Sequence, residues 1–498
     1  MKKFLYTIAA VAALMSAVSC EDYLTTNPTS SVSDASVFTS TQGAQAALSG
    51  CYNLLFFGYG GGRPDTQGYM MHMMSNETCG DEVIVDGGWY GYDYNHWGHQ
   101  RGDIFKASGI WNYYYPLINN LNSVIKFTPE INGGLDSVKD EIVGQALAMR
   151  GWAYFQLIQA FQMTYALAAP KNMPGVPLYT EPSSDQTEGK GRGTINETYT
   201  QILSDLTTAE GLLKNFSRTQ KNHFDLSVVE GLLSRVYLEM NNWPLAEEYA
   251  QKVLSKYPLT SNDQWNAGFN DAATSSWVWA QLIDKEHNLE GDGAYAPFAF
   301  WTNYITRNGD DLWSFNCFFL NDVFVKSFEA DDIRAKQFHL VPSKGYYMSD
   351  KFYDTPDLQG DYVFMRADEM LLNKAEAQAQ QAGKEADAQA TLNTLRVLRG
   401  ESETSKGGKA LLDEIYAERK RELYGEGFAW YDLRRAQKPL LREGMHNSFS
   451  GGKPMPANSW RFAYQIPTGE ILNNPNINSD IWPAGDQNPF GEPSLVLE

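Results

Sequence analysis

The chain has 498 residues and is acidic, with 60 aspartates and glutamates against 40 lysines and arginines and a formal net charge of -20. This balance excludes proteins that bind nucleic acids or anionic membranes through their charge, because those partners require clustered cations. The four cysteines are too scattered for a disulfide framework or a zinc site. Three of them are expected to be small buried residues: Cys51, Cys79 and Cys317.

The N-terminus has the pattern of a cleavable secretion signal. Lys2 and Lys3 precede an apolar run from residue 4 to residue 18, which is shorter than the ~20 residues that span a bilayer. Because the run leads to Cys20, we expect a signal peptide over residues 1–19 and a lipoprotein acylated at Cys20. The alternative is an ordinary signal peptide followed by an incidental cysteine. Elsewhere in the sequence there is no apolar stretch long enough to cross a membrane.

Helical periodicity follows a polar tether over residues 20–40. In residues 141–162 apolar side chains recur at spacings of four and three, which predicts one long helix with a buried face. A second helix is predicted over residues 194–214. No nucleotide-binding, zinc-protease or serine-hydrolase motif is present in the sequence.

Two segments have the pattern of tetratricopeptide helix hairpins. Residues 227–258 place small side chains where two helices cross, with Trp243 at the turn and Pro258 at the end. Residues 366–399 repeat this arrangement more loosely. Each hairpin buries its apolar face only against a neighbour, so we predict about four helix pairs and a mostly α fold.

Two long stretches have little periodicity and are predicted to be loops. They cover residues of about 58–109 and 263–360, and both are rich in glycine, aspartate, asparagine and aromatic residues. Loops of this length are usually functional or disordered. Their many aromatic residues favour function over disorder.

The C-terminal third resembles the signature of the SusD/RagB family. The segments that carry the resemblance are Ile415–Leu423 (IYAERKREL), Glu426–Phe428 and Trp430–Arg435, with Arg366–Ala377 before them and Gln465–Asn476 after them. Shorter matches occur in the same order near the front: Cys20–Leu24, Gly50–Tyr52, Arg150–Leu157 and Pro174–Leu178. The chain departs from the family pattern at Ser19, where Gly or Ala usually precedes the cysteine, and after Asn476, where the usual Asn-Pro-Gly is absent.

The resemblance implies a fold, a location and a partner. Family members have a tetratricopeptide scaffold with a loop-rich remainder that binds ligand. They are lipid-anchored at the cell surface and cover a SusC-like TonB-dependent outer-membrane transporter. On this basis we expect one domain over residues 41–498, with a SusD-type C-terminal region over about 340–498. The charged residues of the signature are expected to form ion pairs and helix caps that fix the scaffold: Glu418, Arg419, Arg421, Glu422, Arg434 and Arg435.

Two aromatic-rich stretches are the candidate ligand site. A sugar needs aromatic rings on which its C–H faces stack, together with a few polar side chains for its hydroxyls. The first stretch, residues 89–97, combines a dense group of rings with glycines. Its candidate residues are Trp89, Tyr90, Tyr92, Asp93, Asn95 and Trp97. The second stretch covers residues 295–313, and its candidates are Tyr295, Trp301 and Trp313. Weaker polar candidates are Asp81 and Arg101.

Other functions are less consistent with the sequence. A glycosidase needs two positioned carboxylates, and no local motif marks such a pair, so we do not expect an enzyme. A ligand-free adaptor would leave the aromatic stretches without a role. The same architecture could bind peptides for its transporter, and this alternative stays open. Asp354, Asp357 and Asp361 do not have the spacing of a calcium loop, and neither a metal nor a cofactor is expected.

Overall fold

The fold is described from a computed structural model. It describes residues 37–56, 68–85, 105–168, 172–283, 318–342, 345–353, 360–444 and 454–477. Most of the described elements are helices, as predicted. The signal peptide, Cys20 and most of the proposed tether lie outside these residues. No helix in the described part combines the length and the apolar character needed to cross a membrane.

The helices and strands follow each other in a simple order along the chain. The helices are α1 (Thr41–Phe56), α2 (Gly68–Thr78), α3 (Phe105–Phe127), α4 (Asp136–Phe161), α5 (Tyr165–Ala168), α6 (Ile195–Leu212), α7 (Leu226–Glu239), α8 (Trp243–Leu254), α9 (Asn262–Asn266), α10 (Asp322–Val325), α11 (Ala367–Ala379), α12 (Glu385–Arg399), α13 (Gly408–Leu423), α14 (Ala429–Arg435) and α15 (Thr468–Asn473). The strands are β1 (Val83–Val85), β2 (Trp277–Gln281), β3 (Phe318–Leu320), β4 (Phe338–Val341), β5 (Tyr346–Ser349) and β6 (Tyr362–Arg366). Two turns of 3-10 helix cover Ile333–Gln337 and Trp460–Phe462.

Eight of the described helices pack successively as four pairs: α1 with α3, α4 with α6, α7 with α8, and α11 with α12. The predicted hairpin over residues 227–258 is confirmed, and Ser234 of α7 donates a hydrogen bond to the carbonyl of Ala246 on α8. The helix predicted from residue 194 begins with a capping box. In it, the Thr194 hydroxyl accepts from the Glu197 amide, and the Glu197 carboxylate accepts from the Thr194 amide.

The centre of the molecule is apolar and aromatic. Trp152 on α4 is fully buried, and its ring centroid lies 4.9 Å from that of Tyr69, 5.5 Å from that of Tyr114 and 5.6 Å from that of Trp279. The buried apolar faces of α3, α4, α6 and α7 surround this group, and we call these four helices the apolar array. Edge-to-face contacts of this kind add to the burial of area.

The two stretches predicted as loops contain regular structure, so that part of the prediction is wrong. Residues 58–109 include α2 and β1, and residues 263–360 include α9, α10 and the strands from β2 to β5. The described side chains of α2 are buried on all sides, and all five residues of β2 are buried. Such elements show no polar face, so their sequences carry neither a helical nor a strand period. Cys51 and Cys79 are buried and not disulfide-bonded, as expected, whereas Cys317 lies outside the described residues.

A second interior, made of charged groups, joins the C-terminal helices. We call it the ion cluster, and its members are Asp332, Arg334, Arg366, Asp368, Arg399, Glu401, Glu418, Glu422 and Glu426. Glu422 accepts from three guanidinium groups, at 2.8 Å from Arg334, 2.8 Å from Arg366 and 2.7 Å from Arg399. Burial opposes ionisation of this carboxyl, but the three arginines hold its pKa well below its usual range.

The structural role predicted for the charged signature residues is confirmed. Glu418 and Glu422 belong to the ion cluster, and Arg421 pairs with Glu418 at 2.6 Å. Arg419 binds both carboxylate oxygens of Asp432. Two arginines of α14 reach other helices. Arg434 donates to the carbonyls of Gln159 and Gln162 at the end of α4, and Arg435 pairs with Glu376. These residues connect helices, as rigid guanidinium groups can.

Candidate functional site

The strands β1 and β3 determine where the two aromatic stretches leave the described fold. They pair antiparallel, with Val83 opposite Leu320 and Val85 opposite Phe318. Val85 is the last described residue before the first stretch, and Phe318 is the first described residue after the second one. Because these two residues are register partners, the points at which the stretches leave the fold are adjacent. The described structure therefore places Val85 beside Phe318, although these residues are more than 200 positions apart in the chain.

The base of this strand pair is held rigidly by side chains. Asn321 follows β3. Its backbone N–H donates to the Glu82 carbonyl at 2.9 Å, and its side-chain amide donates to the Asp81 carbonyl at 3.2 Å. The Glu82 carboxylate in turn lies 2.9 Å from the ammonium of Lys420 on α13. All three strand residues of β1 and of β3 are buried. The strand pair is thus fixed both to the core and to the signature helix α13.

The other two ends of the stretches are also anchored. Lys106, in the first turn of α3, donates to the Ser75 hydroxyl of α2 at 2.7 Å. Ile283, which precedes the second stretch, donates its amide to the Asp361 carboxylate at 2.8 Å. Both ends therefore rest on groups that are fixed by the fold, as binding segments on a rigid scaffold require.

Every residue chosen as a glycan-binding candidate lies outside the described residues. This applies to Trp89, Tyr90, Tyr92, Asp93, Asn95, Trp97, Tyr295, Trp301 and Trp313, and also to Arg101. Their role as ligand contacts therefore stays a prediction. The structure adds that both stretches leave the described fold at the β1–β3 strand pair.

Two other candidates can be placed, and both serve the fold. The Asp81 carboxylate accepts from the Arg442 amide at 3.0 Å and lies 3.5 Å from the Lys420 ammonium. Its predicted role as a polar ligand contact is therefore not supported. The Asp361 carboxylate accepts from the amides of Ala272 and Ile283. Asp354 and Asp357 lie outside the described residues, and the described part of the chain holds no cluster of residues suited to a metal ion.

Several positioning residues were not found by sequence reasoning. Asn321 and Glu82 belong to no motif. The Asn321 side chain donates to the carbonyls of Asp81 and Glu443, which are 240 and 122 residues away, and Glu82 pairs with Lys420 of α13. No local pattern could identify them. The signature pointed only to α13 as a structural element.

Comparisons with known proteins agree with this fold. A family model described as starch-binding and associating with the outer membrane matches residues 65–238, and a model of the SusD family matches residues 293–489. The chain belongs to the SusD/RagB family. Its family is thus one that associates with the outer membrane, and its members are described as binding proteins.

Several relatives match this chain over most of its length. SusD-like protein P38 from Formosa agariphila is 22% identical, with 93% of this chain and 95% of the relative covered. The crystal structure of a SusD-like carbohydrate-binding protein from Bacteroides vulgatus is similar with a TM-score of 0.79 and 24% identity, covering 89% of this chain and 100% of the other. A laminarin-binding SusD-like protein is similar with a TM-score of 0.67 and 22% identity, covering 88% and 98%. The likeness to the solved structures establishes the fold.

Proposed function

We propose that this SusD-like protein is a cell-surface lipoprotein that captures a polysaccharide or its fragments and passes them to a SusC-like TonB-dependent transporter. The observation that carries the proposal is the register of β1 with β3, which makes the two aromatic stretches leave the fold from adjacent points. A sugar site needs several rings from different segments within one ligand length. The adjacent departure points support a site built from both stretches.

Family membership supports a glycan as the ligand. One family model is described as starch-binding, and two similar solved structures are named as carbohydrate-binding and laminarin-binding proteins. The acidic charge of the chain fits a neutral sugar polymer better than an anionic ligand. The buried ions of the C-terminal helices pair with one another inside the scaffold, which leaves ligand contacts to side chains outside the ion cluster.

The site is tested by binding of the chain from Glu21 to a glycan array and to polysaccharide affinity gels. The double variant Trp89→Ala/Trp97→Ala is expected to lose at least tenfold in affinity for the glycan that binds, because each stacked ring contributes roughly 0.5–1.5 kcal/mol beyond its buried area. The matched control truncates two exposed apolar side chains, Leu135→Ala/Leu472→Ala, and should bind like the unchanged chain.

Three outcomes contradict parts of this proposal. Unchanged binding by a folded double variant would move the site away from residues 89–97. Binding to no glycan, together with binding to peptides, would replace the ligand class. Binding of the glycan without co-purification of a TonB-dependent transporter from outer membranes of the native host would leave capture intact and remove delivery.

The lipid anchor is tested separately from the ligand. Growth with an alkyne-bearing palmitate analogue should label the unchanged protein and should not label the variant Cys20→Ala, since the thiol is the proposed acylation site. The variant should also leave the membrane fraction. Equal labelling of both proteins would show that Cys20 is not the anchor.

A further inference from the structure

A cleft of about 490 Å³ opens among the helices of the scaffold, and its lining includes no residue of β1 or β3. It lies between the turn joining α7 to α8, the end of α11, the first half of α13 and the segment after α14. These four parts belong to the helix pairs and the signature region. The cleft falls within the ~300–1,000 Å³ typical of small-molecule sites.

The cleft lies toward the opposite end of β1 from the aromatic stretches. Tyr416 lines it, and the ammonium of Lys420 lies 5.2 Å from the centroid of the Tyr416 ring. Lys420 contacts Asp81 and Glu82, which precede the first residue of β1, whereas the first aromatic stretch follows the last one. None of the described residues that line the cleft belongs to the strand pair or to its anchors.

The lining of the cleft combines aromatic rings with amides. The half-buried ring of Trp243 and the Tyr416 ring provide two aromatic surfaces. Three amide side chains stand at exposed positions around them: Asn241, Gln380 and Gln437. Planar rings for C–H faces, together with amides that both donate and accept, are the groups that a saccharide uses.

Ion pairs fix the charged part of the wall and cancel most of its charge. Lys438 lies 2.6 Å from the Asp413 carboxylate, and its ammonium is 5.1 Å from the centroid of the Tyr416 ring. Arg435 pairs with Glu376 and Asp432. Burial lowers the pKa of Arg435 to about 10, which still leaves it charged at neutral pH. The ion-paired side chains of the cleft wall offer fixed hydrogen-bond donors and acceptors, and their charges largely cancel. This favours a neutral ligand over an ionic one.

We propose that this cleft is a second saccharide-binding site, for a short neutral oligosaccharide. Trp243 and Tyr416 provide the stacking surfaces, and the amides together with the Lys438–Asp413 pair bind hydroxyls. The inference goes beyond the function proposed above, because it assigns a ligand to the helix-pair side of the molecule. A protein with two such sites holds two parts of one polymer, or two fragments, at once.

Photo-crosslinking tests the cleft directly. The chain from Glu21 is irradiated with diazirine-bearing maltotriose, laminaritriose or cellotriose at up to 10 mM, and the labelled peptides are mapped by mass spectrometry. We expect at least one of these probes to label peptides containing Trp243, Tyr416 or Lys438. An excess of the same unlabelled trisaccharide should reduce that labelling at least fivefold.

A blocking variant separates this site from the loop site. Gln380→Trp places a bulky ring in the cleft from an exposed position at the end of α11, and should reduce labelling of the cleft peptides at least fivefold. It should leave labelling of residues 86–104 and 284–317 unchanged. The matched control, Ala386→Trp, adds the same side chain at an exposed position of α12 outside the cleft lining and should label like the unchanged chain.

The outcomes distinguish the two proposals. Labelling confined to residues 86–104 or 284–317 would support the loop site and overturn the second site. Labelling of the cleft alone would support the second site and contradict the function proposed for the aromatic stretches. Absence of competable labelling in the cleft with all three probes, or labelling that persists in Gln380→Trp, would overturn the inference.

Discussion

The apolar array and the ion cluster are neighbouring parts of one fold. The array is held mainly by packing, together with the buried ion pair of Arg150 on α4 and Asp205 on α6, whereas the ion cluster is held by directional bonds between charges. In the array, side chains such as Trp152 and Leu206 have no exposed area and contact other apolar groups. In the cluster, Arg366 and Arg399 have no exposed area either, but their contacts are directional bonds to carboxylates. Both interiors exclude water equally. The two interiors differ in how strictly each contact requires one particular type of residue.

This difference explains where the family signature is strongest in the sequence. Apolar packing accepts many residues of suitable volume, so the buried apolar positions of the array do not each require one particular residue. A buried guanidinium needs its carboxylates at set distances, because an unpaired buried charge is costly. The signature over residues 415–435 is therefore the part of the chain that the ion cluster constrains most strongly. Its role is to hold helices together.

The largest effect is expected from breaking the ion cluster. Arg366→Met should lower the free energy of unfolding by about 3–5 kcal/mol, because Glu422, Glu426 and Asp368 lose a buried partner. Arg366→Lys should cost nearly as much, since an ammonium cannot reproduce the guanidinium geometry. Urea denaturation of the chain from Glu21 measures both.

The control for this prediction is an exposed ion pair. Lys126 and Glu181 lie 2.8 Å apart with side-chain exposures of 46% and 69%, and Lys126→Met should give no measurable change. If Arg366→Lys unfolds like the unchanged chain, charge alone would suffice, and the contrast between the two interiors would fail.

The stability of the apolar array should fall when a buried side chain loses volume, and should change little when only the shape of that side chain changes. Leu206 is fully buried on α6 and packs against Gly151 of α4, where an added Cβ would lie 3.1 Å from the Leu206 side chain. Leu206→Ala should cost about 2–4 kcal/mol. Leu206→Met preserves most of the volume and should cost less than about 1.5 kcal/mol. Equal losses for the two variants, measured by urea denaturation, would contradict a tolerant apolar interior.

His72 links α3 of the apolar array to α14 and should make stability depend on pH. Its ring nitrogens contact the hydroxyl of Tyr114 on α3 at 2.7 Å and that of Tyr431 on α14 at 2.9 Å. Burial, with a smaller contribution from Lys106, lowers the pKa of His72 to about 3. Below pH ~6.5 the unfolded chain therefore binds a proton that the folded chain does not. Stability should fall as the pH drops from ~6.5 toward 3, by about 2–3 kcal/mol at pH 4.5.

The variant His72→Gln isolates this contribution from those of the carboxyl groups. Glutamine cannot titrate, so its free energy of unfolding should fall less than that of the unchanged chain between pH 7 and pH 4.5. The difference between the two pH profiles is the contribution of His72. Parallel profiles would mean that His72 is protonated to the same extent in both states.

The smallest effect is expected at the helix cap of α6. Thr194→Ala removes the hydroxyl that accepts from the Glu197 amide at 3.1 Å and should cost about 1 kcal/mol. Thr200→Ala serves as the control, because Thr200 is exposed on the same helix and its hydroxyl only donates to the carbonyl of Asn196. A cost at Thr200 equal to that at Thr194 would exclude capping as the cause.

The sequence predicted the hairpin over residues 227–258 well because small residues mark where its two helices cross, as Ser234 does against Ala246. The helices over Leu226–Glu239 and Trp243–Leu254 lie within the predicted hairpin. It failed at α2 and β2. All five residues of β2 are buried, and the polar run Ser75–Thr78 of α2 is buried like the other described residues of that helix, so polar residues do not mark an exposed face in either element. The sequence also could not show which residues pair with the charged groups of the signature. Arg334, for example, binds Glu422 from 88 residues away.

The candidate site was predictable only as a pair of segments. Aromatic density marked residues 89–97 and 295–313, but density says nothing about which ring faces a ligand. The pairing of Val85 with Phe318 could not be read from the chain, because three-residue strands carry almost no period. From the sequence, Trp243 was interpreted as part of a helix turn and Tyr416 as part of the family signature. The cleft that both residues line was therefore not predicted.

Glu77 shows that the chain cannot be divided where its two family models separate. Its carboxylate, on α2, accepts from the amides of Gly425, Gly427 and Phe428 at 2.7 to 3.0 Å. Gly427 has φ +84° and leaves no room for a Cβ beside Met73. One carboxylate from the first matched segment thus closes the backbone turn that begins α14 in the second. Halves expressed separately should each expose part of their interior, so we expect the two matched segments to fold only as one unit.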